Sequence, residues 1–281
     1  MKKLFFISVI CLITVIIAAF GWRPFDDNVA PKTTVQGNRH SQSFYAVKKE
    51  MLDNIYFDHK QTLYCGVTWN SRKKIKLPKG FKLPNLRKVD FTLYDNVSAE
   101  ELQRKAERME WEHIVPAQNF GKTFTEWSNG HKNCTFDGGK RYKGRKCAEQ
   151  QSEEFRYMYT DMYNLYPSIG AVNFLRAHFN MTQFDTGIPV TFGTCQMKIS
   201  RNKVEPPDNM KGLIARTYLY MQSTYPRYRI GEPMRGVLNA WNKKYPITKW
   251  ECVRAYRIEK LQGNANGIVK PQCEGKGWYE G

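Results

Sequence analysis

Six cysteines downstream of an export-type leader restrict this chain more than any other feature. Lys2 and Lys3 precede an unbroken apolar stretch from Leu4 to Phe20, with small residues at Ala18 and Ala19. A charged start, an apolar middle and small residues near the cut mark a secretory signal peptide. The alternative is an uncleaved anchor, since the run approaches the ~18 residues that span a bilayer. Residues 1–20 are read as the signal segment and set aside from the fold. Export carries the rest of the chain into an oxidising compartment, where thiols pair. Cys11 lies in the leader; Cys65, Cys134, Cys147, Cys195, Cys252 and Cys273 remain. An even count in an exported chain implies three disulfides, with many pairings open. Closeness in sequence favours Cys134–Cys147 and Cys252–Cys273, which leaves Cys65–Cys195. No C-x-x-C pair occurs, which argues against a zinc ribbon.

Charge narrows the partner. Lys and Arg number 44 against 26 Asp and Glu, a formal net charge of +18. That excess favours a polyanion: nucleic acid, an anionic membrane surface or an acidic glycan. An aromatic content of 14% excludes a disordered chain. A mean hydropathy of −0.61, with one long apolar run, excludes a polytopic membrane protein. The 281 residues suit one large domain or two small ones, with a substantial core.

Residues 21–42 are polar, carry Pro24 and Pro31, and read as a flexible arm. Helical periodicity follows over 43–54. The β-rich run 62–69 predicts a strand, and 71–88 a basic loop punctuated by Pro and Gly. Ser98 with Glu101 fits a capping box opening a helix over 98–108. The pattern turns to β at Met109 and breaks at Pro116. Residues 130–146 read as a loop rich in Gly and cations. A short element, a turn around Pro167–Gly170 and a helix fill 158–180. Amphipathic helices are expected at 209–225 and 233–245, and a further helix at 249–262. Trp111, Trp241 and Trp250 read as core residues, with base stacking as the alternative. Arg216 either anchors a helix or lines a groove.

Among five histidines, only His113 directly follows a carboxylate inside an apolar, aromatic strand, Trp111 to Val115. Strand neighbours face opposite sides, so Glu112 and His113 converge only at a strand end, a bulge or beneath a covering helix. Glu112 offers hard anionic oxygen suited to Mg²⁺ or Ca²⁺. His113 can deprotonate water near neutral pH. A neutral amide would complete such a site, and Asn173 at a helix start is the candidate. Taken alone, a Glu-His dipeptide reads more readily as a structural salt link or a core histidine.

The run "MEWEHIVPAQNFG" resembles the signature of the endonuclease I family of periplasmic and secreted bacterial nucleases. Further matches follow in order: a Gly pair with adjacent cations between two cysteines, "NLYPSIGAVN", "GLIARTYLYM", "NAWNKKYPITKWEC" and "RIEKLQGNANGIV". The resemblance implies an α+β fold of mixed helices and short sheets, stapled by disulfides and carrying a ββα-metal finger, over a nuclease domain at 43–281. It implies an endonuclease that hydrolyses DNA and RNA to 5′-phosphate ends, held through the phosphate backbone. It places the general base at His113 and the metal ligands at Glu112 and Asn173. The cofactor would be Mg²⁺, with Ca²⁺ or Mn²⁺ as substitutes. A cation after the Gly pair would grip phosphate. Arg141 is favoured for its planar fork, with Lys140 next and Arg145 third. Asn164 is assigned to orienting the His113 ring or the water. A periplasmic or secreted monomer without stable membrane association is expected after signal cleavage.

The chain departs from the family form at Tyr159, where Glu is common, and at Tyr163, where His is common. Ala171 replaces an acid, and Phe174 and Leu175 replace Gly-Asp. These positions surround the proposed ligands and can tune metal affinity. The rival reading is an exported, non-catalytic binder of nucleic acid or anionic glycan on the same scaffold.

Overall fold

The computed structural model describes residues 37–86, 97–185 and 187–281. The signal segment, residues 21–36 of the expected arm and positions 87–88 of the basic loop lie outside the described residues. The described residues fall within one compact unit.

The elements, in chain order, are α1 (Phe44–Glu50), continued by a π turn (Met51–Ile55), α2 (Ala99–Ala106), β1 (Met109–His113), α3 (Ala117–Gly121) and α4 (Thr125–Ser128). Then come α5 (Arg145–Gln151), α6 (Glu153–Tyr159), a 3-10 turn (Met162–Asn164), β2 (Leu165–Ile169) and α7 (Gly170–Arg176). Three short strands follow, β3 (Asn180–Met181), β4 (Lys198–Ser200) and β5 (Lys203–Glu205). The chain closes with α8 (Asp208–Thr224), α9 (Glu232–Lys244), α10 (Lys249–Gln262) and α11 (Lys270–Glu274). The fold is α+β, as expected, and the disulfides are Cys65–Cys195, Cys134–Cys147 and Cys252–Cys273.

Local chemistry explains most of these boundaries. The Ser98 hydroxyl accepts from the Glu101 amide at 3.1 Å and opens α2, which buries Leu102 and Ala106. Thr248 caps α10 in the same way, and Gly263, at φ +83°, ends it. Two expectations fail. Residues 62–67 form a tight turn, and only Thr68 and Trp69 enter isolated antiparallel bridges, with Gln61 and Ile75, in place of the expected strand. The Thr62 amide donates to the Val67 carbonyl, the Gly66 amide returns to the Thr62 carbonyl, and Gly66 adopts φ +62°. The chain thus folds back on itself where an extended strand would have run.

The expected turn at 167–170 is instead the end of β2, passing straight into α7. β1 and β2 pair antiparallel, with Trp111 opposite Pro167 and His113 opposite Leu165. The flanking bonds, Ile114 amide to Asn164 carbonyl and Gly170 amide to Arg108 carbonyl, put Pro167 on a rung that needs no N–H toward β1. Gly170 allows the abrupt start of α7. A Cβ there would lie 2.6 Å from the Lys105 carbonyl oxygen and 2.9 Å from Glu110 Cδ.

The C-terminal helices brace this β1–β2–α7 unit. Arg254 of α10 donates to the Met162 and Leu165 carbonyls at 2.6 and 2.7 Å, and its guanidinium lies over the Tyr166 ring. Arg216 is an anchor: buried on α8, it forms a two-point ion pair with Glu251 of α10 at 2.6 and 2.8 Å. Trp111 and Trp241 are core residues and Trp250 is half-buried. The end of the expected arm is fixed on the body. Asn38 is buried and donates to the Tyr157 carbonyl and the Thr160 hydroxyl. No helix among the described residues is long and apolar enough to cross a membrane.

Candidate active site

β1 ends on His113 at the mouth of a cleft of about 320 Å³. Glu110, Glu112, His113, Arg145, Asn173 and His178 are among its lining residues. Glu112 and His113 share the cleft despite strand alternation because the ladder stops there and α7 packs alongside.

His113 is held on three sides. Its Nε2 lies 2.8 Å from the Tyr159 backbone carbonyl. A carbonyl only accepts, so Nε2 carries the proton and Nδ1 keeps its lone pair. The ring stacks on Tyr159 at 4.6 Å between centroids and on Phe44 at 5.4 Å. Burial pushes the imidazole pKa down to about 3. The Tyr159 carbonyl opposes that shift, and the positive charges of Arg145 and Arg176 reinforce it. His113 is therefore neutral at physiological pH.

Glu112 is buried and anchored through one oxygen. Oε1 accepts from the Tyr64 hydroxyl at 2.7 Å and lies 3.3 Å from the Arg176 guanidinium. Burial raises its carboxyl above the ordinary value, against Arg176 and Tyr64, which favour the carboxylate. Arg176 also donates to the His113 and Ile114 carbonyls, so one buried cation fixes both the acid and the backbone of the histidine. Asn173, on α7, turns its amide hydrogens inward. They make long contacts to the Trp111 carbonyl at 3.3 Å and to Glu110 Oε2 at 3.5 Å.

Glu112 Oε2 and Asn173 Oδ1 have no hydrogen-bond partner among the described residues, and both residues line the cleft. A carboxylate and an amide oxygen are hard donors that fit Mg²⁺, Ca²⁺ or Mn²⁺ with water and phosphate completing the shell. No group of three or more His, Cys, Asp or Glu among the described residues is arranged to hold a metal without such help.

The other expected residues fall differently. Lys140 and Arg141 are exposed and do not line the cleft; Arg145, ranked third from sequence, does. As the first residue of α5, Arg145 sits over the Tyr159 ring, 5.6 Å from its centroid. Asn164 is fully buried and touches neither ring nor cleft. Its amide clamps the Val115 backbone, accepting from the amide at 2.7 Å and donating to the carbonyl at 2.9 Å. The departures from the family form also find places. Tyr159 stacks on His113, Tyr163 directs its hydroxyl at the Ala255 and Asn264 carbonyls, Ala171 and Leu175 are buried, and Phe174 lines the cleft.

Sequence reasoning missed Tyr64, Phe44, the Tyr159 carbonyl and the pinning role of Arg176. Only Arg176 left a signal, a cation three residues after Asn173 on one helix.

Among known proteins, the model of the family described as Endonuclease I matches residues 43–273. The chain is 36% identical over 239 residues to an extracellular deoxyribonuclease of Aeromonas hydrophila, covering 84% of this chain and 92% of that one. It is 36% identical over 240 residues to a periplasmic deoxyribonuclease of the same organism, covering 84% and 89%. It is 33% identical over 243 residues to Endonuclease-1 of Buchnera aphidicola subsp. Baizongia pistaciae (strain Bp), covering 84% and 86%.

Proposed function

The chain belongs to the endonuclease I family and is a nuclease, and on that premise we propose that it cuts DNA, and RNA, as a metal-dependent endonuclease acting in the periplasm or outside the cell. The catalytic domain is assigned to 43–281, working as a monomer, with 1–20 removed on export. One observation carries the catalytic reading. The Tyr159 carbonyl occupies Nε2 of His113, leaving Nδ1 as the basic nitrogen of a residue that lines the same cleft as Glu112 and Asn173.

A divalent cation held by Glu112 and Asn173 would neutralise charge on the phosphate and on the departing 3′ oxygen. Arg145, which lies over the Tyr159 ring and lines the same cleft, grips the phosphate oxygens. His113, neutral and fixed in orientation, takes a proton through Nδ1 from a water in line with the 3′ oxygen. The water oxygen bonds to phosphorus as the P–O3′ bond breaks, leaving a 5′ phosphate; the departing 3′ oxygen takes a proton from solvent to become a hydroxyl, and His113 returns its proton to solvent. Recognition through phosphates carries no base identity, so cutting is expected to be sequence-tolerant.

The oxidised protein is expected to nick plasmid and degrade RNA in millimolar Mg²⁺, and to stop in excess EDTA. Undiminished cutting in EDTA contradicts the metal assignment; intact RNA beside cut plasmid contradicts the sugar tolerance.

A further inference from the structure

Residues 131–147 form a finger rooted beside the cleft. Its base is closed by the Cys134–Cys147 disulfide, both sulfurs buried. The Tyr142 amide donates to the Cys134 carbonyl at 2.9 Å, and the Phe136 amide to the Lys140 carbonyl at 2.8 Å. The tip turns through Gly138 and Gly139, both at positive φ, +94° and +82°. The Gly144 amide ties the root to the Trp127 carbonyl at the end of α4. The next residue is Arg145, which faces the nuclease cleft.

The finger's surface is unusual in two respects. Lys132, Lys140, Arg141, Lys143, Arg145 and Lys146 stand against a single acid, Asp137. Lys140, Arg141, Lys143 and Lys146 make no salt bridge among the described residues. Phe136 is 49% exposed, one of three large hydrophobic side chains left so open among the described residues. Its ring lies 4.8 Å from that of Tyr142, and Lys146 Nζ stands 5.8 and 5.0 Å from the two ring centroids. A half-exposed Phe gains little from folding, because the gain follows area removed from water.

We propose that Phe136, backed by Tyr142, is a stacking platform for an unpaired nucleobase of the substrate strand whose phosphate Arg145 holds. The inference rests on the nuclease reading above. An aromatic face set among unpaired cations matches a single strand, which offers a π face at each base and a charge at each phosphate. An anionic membrane would satisfy the same charges, but the root of the finger carries Arg145 into the cleft, which favours nucleic acid. The platform lets the enzyme engage single-stranded or locally opened substrate without reading sequence.

Binding in EDTA, where the strand stays intact, tests this apart from catalysis. A short single-stranded oligonucleotide is compared with the same oligonucleotide carrying abasic sites, using oxidised full-length protein. The wild type is expected to bind the intact strand about 5- to 150-fold more tightly, the range for one stacked base. Phe136→Ala loses that preference, so its two affinities converge. Phe136→Trp restores it and shows indole quenching by the intact strand only. Equal preference in the wild type and Phe136→Ala overturns the platform and leaves the cleft chemistry standing. Loss of binding by Phe136→Ala to phosphatidylglycerol vesicles, with strand affinities unchanged, overturns it in favour of a membrane face. Absence of plasmid cutting by the wild type in Mg²⁺ instead refutes the nuclease reading, while the binding comparison remains readable.

Discussion

His113 has one open nitrogen because a backbone carbonyl, 46 residues away in sequence, occupies the other. That contact decides which nitrogen can accept a proton, and no side-chain motif encodes it. Arg176 acts similarly from a distance. Fully buried, it neutralises Glu112 and ties down the carbonyls of His113 and Ile114. Placing the phosphate cation at Arg145 yields a direct comparison. Arg145→Ala should lower kcat by about 10²-fold, the scale for one donor on developing charge. Arg141→Ala and Lys140→Ala, outside the cleft, should act mainly on KM, by less than ~10-fold. Steady-state kinetics on plasmid checks this, and equal kcat losses in all three would remove Arg145 from its place. That Glu112, His113 and Asn173 line one cleft was anticipated through the family resemblance, in two separate motifs, since residue type alone favoured a structural reading of the Glu-His pair. Which of Lys140, Arg141 and Arg145 lines the cleft was not legible, because it depends on how the chain turns before α5 begins.

At the scale of elements, α8, α9 and α10 fell within about a residue or two of their expected bounds, since amphipathic periodicity and caps are local signals. β2 was hidden because Pro167 reads as a turn until the rung opposite Trp111 is known to need no N–H. The turn at Gly66 was hidden because β-branched and aromatic neighbours mimic a strand. One inter-element link carries a pH signature. Glu205 of β5 accepts from Lys211 of α8 at 2.6 Å and from Lys198 of β4 at 3.2 Å. Burial opposes ionisation, but the two lysines outweigh it and hold the carboxyl below its ordinary 4.5. A depressed carboxylate stabilises the fold above its unfolded value and loses that contribution as pH falls through the folded one. Glu205→Gln should therefore cost about 1.5–3 kcal/mol at pH 7, with the gap from wild type narrowing below about pH 4.5. Urea unfolding at pH 7 and pH 3.5 checks this; a constant gap would contradict it.

Over the whole molecule, a charge of +18 and three disulfides fit a protein that meets polyanions outside the cytoplasm. Compartment, disulfide pairing and the sign of the partner were legible, because the leader, the closeness of cysteines in sequence and the net charge point to them in turn. Where the cations converge was not, since it requires the fold. Binding through phosphates releases counterions, so duplex affinity should fall linearly in log–log with salt, by about 0.9 per contacted phosphate. Titration of a noncleaved duplex in EDTA from 50 to 200 mM salt measures that slope. An affinity independent of salt would contradict backbone recognition.

The proposed mechanism stands on His113 as the base that activates water. Plasmid nicking by His113→Ala and wild type in Mg²⁺, with gel retardation on the same samples, separates that role from binding. The variant should lose about 10²- to 10⁴-fold in nicking rate yet retard plasmid as the wild type does. A folded His113→Ala protein that nicks at the wild-type rate would contradict it.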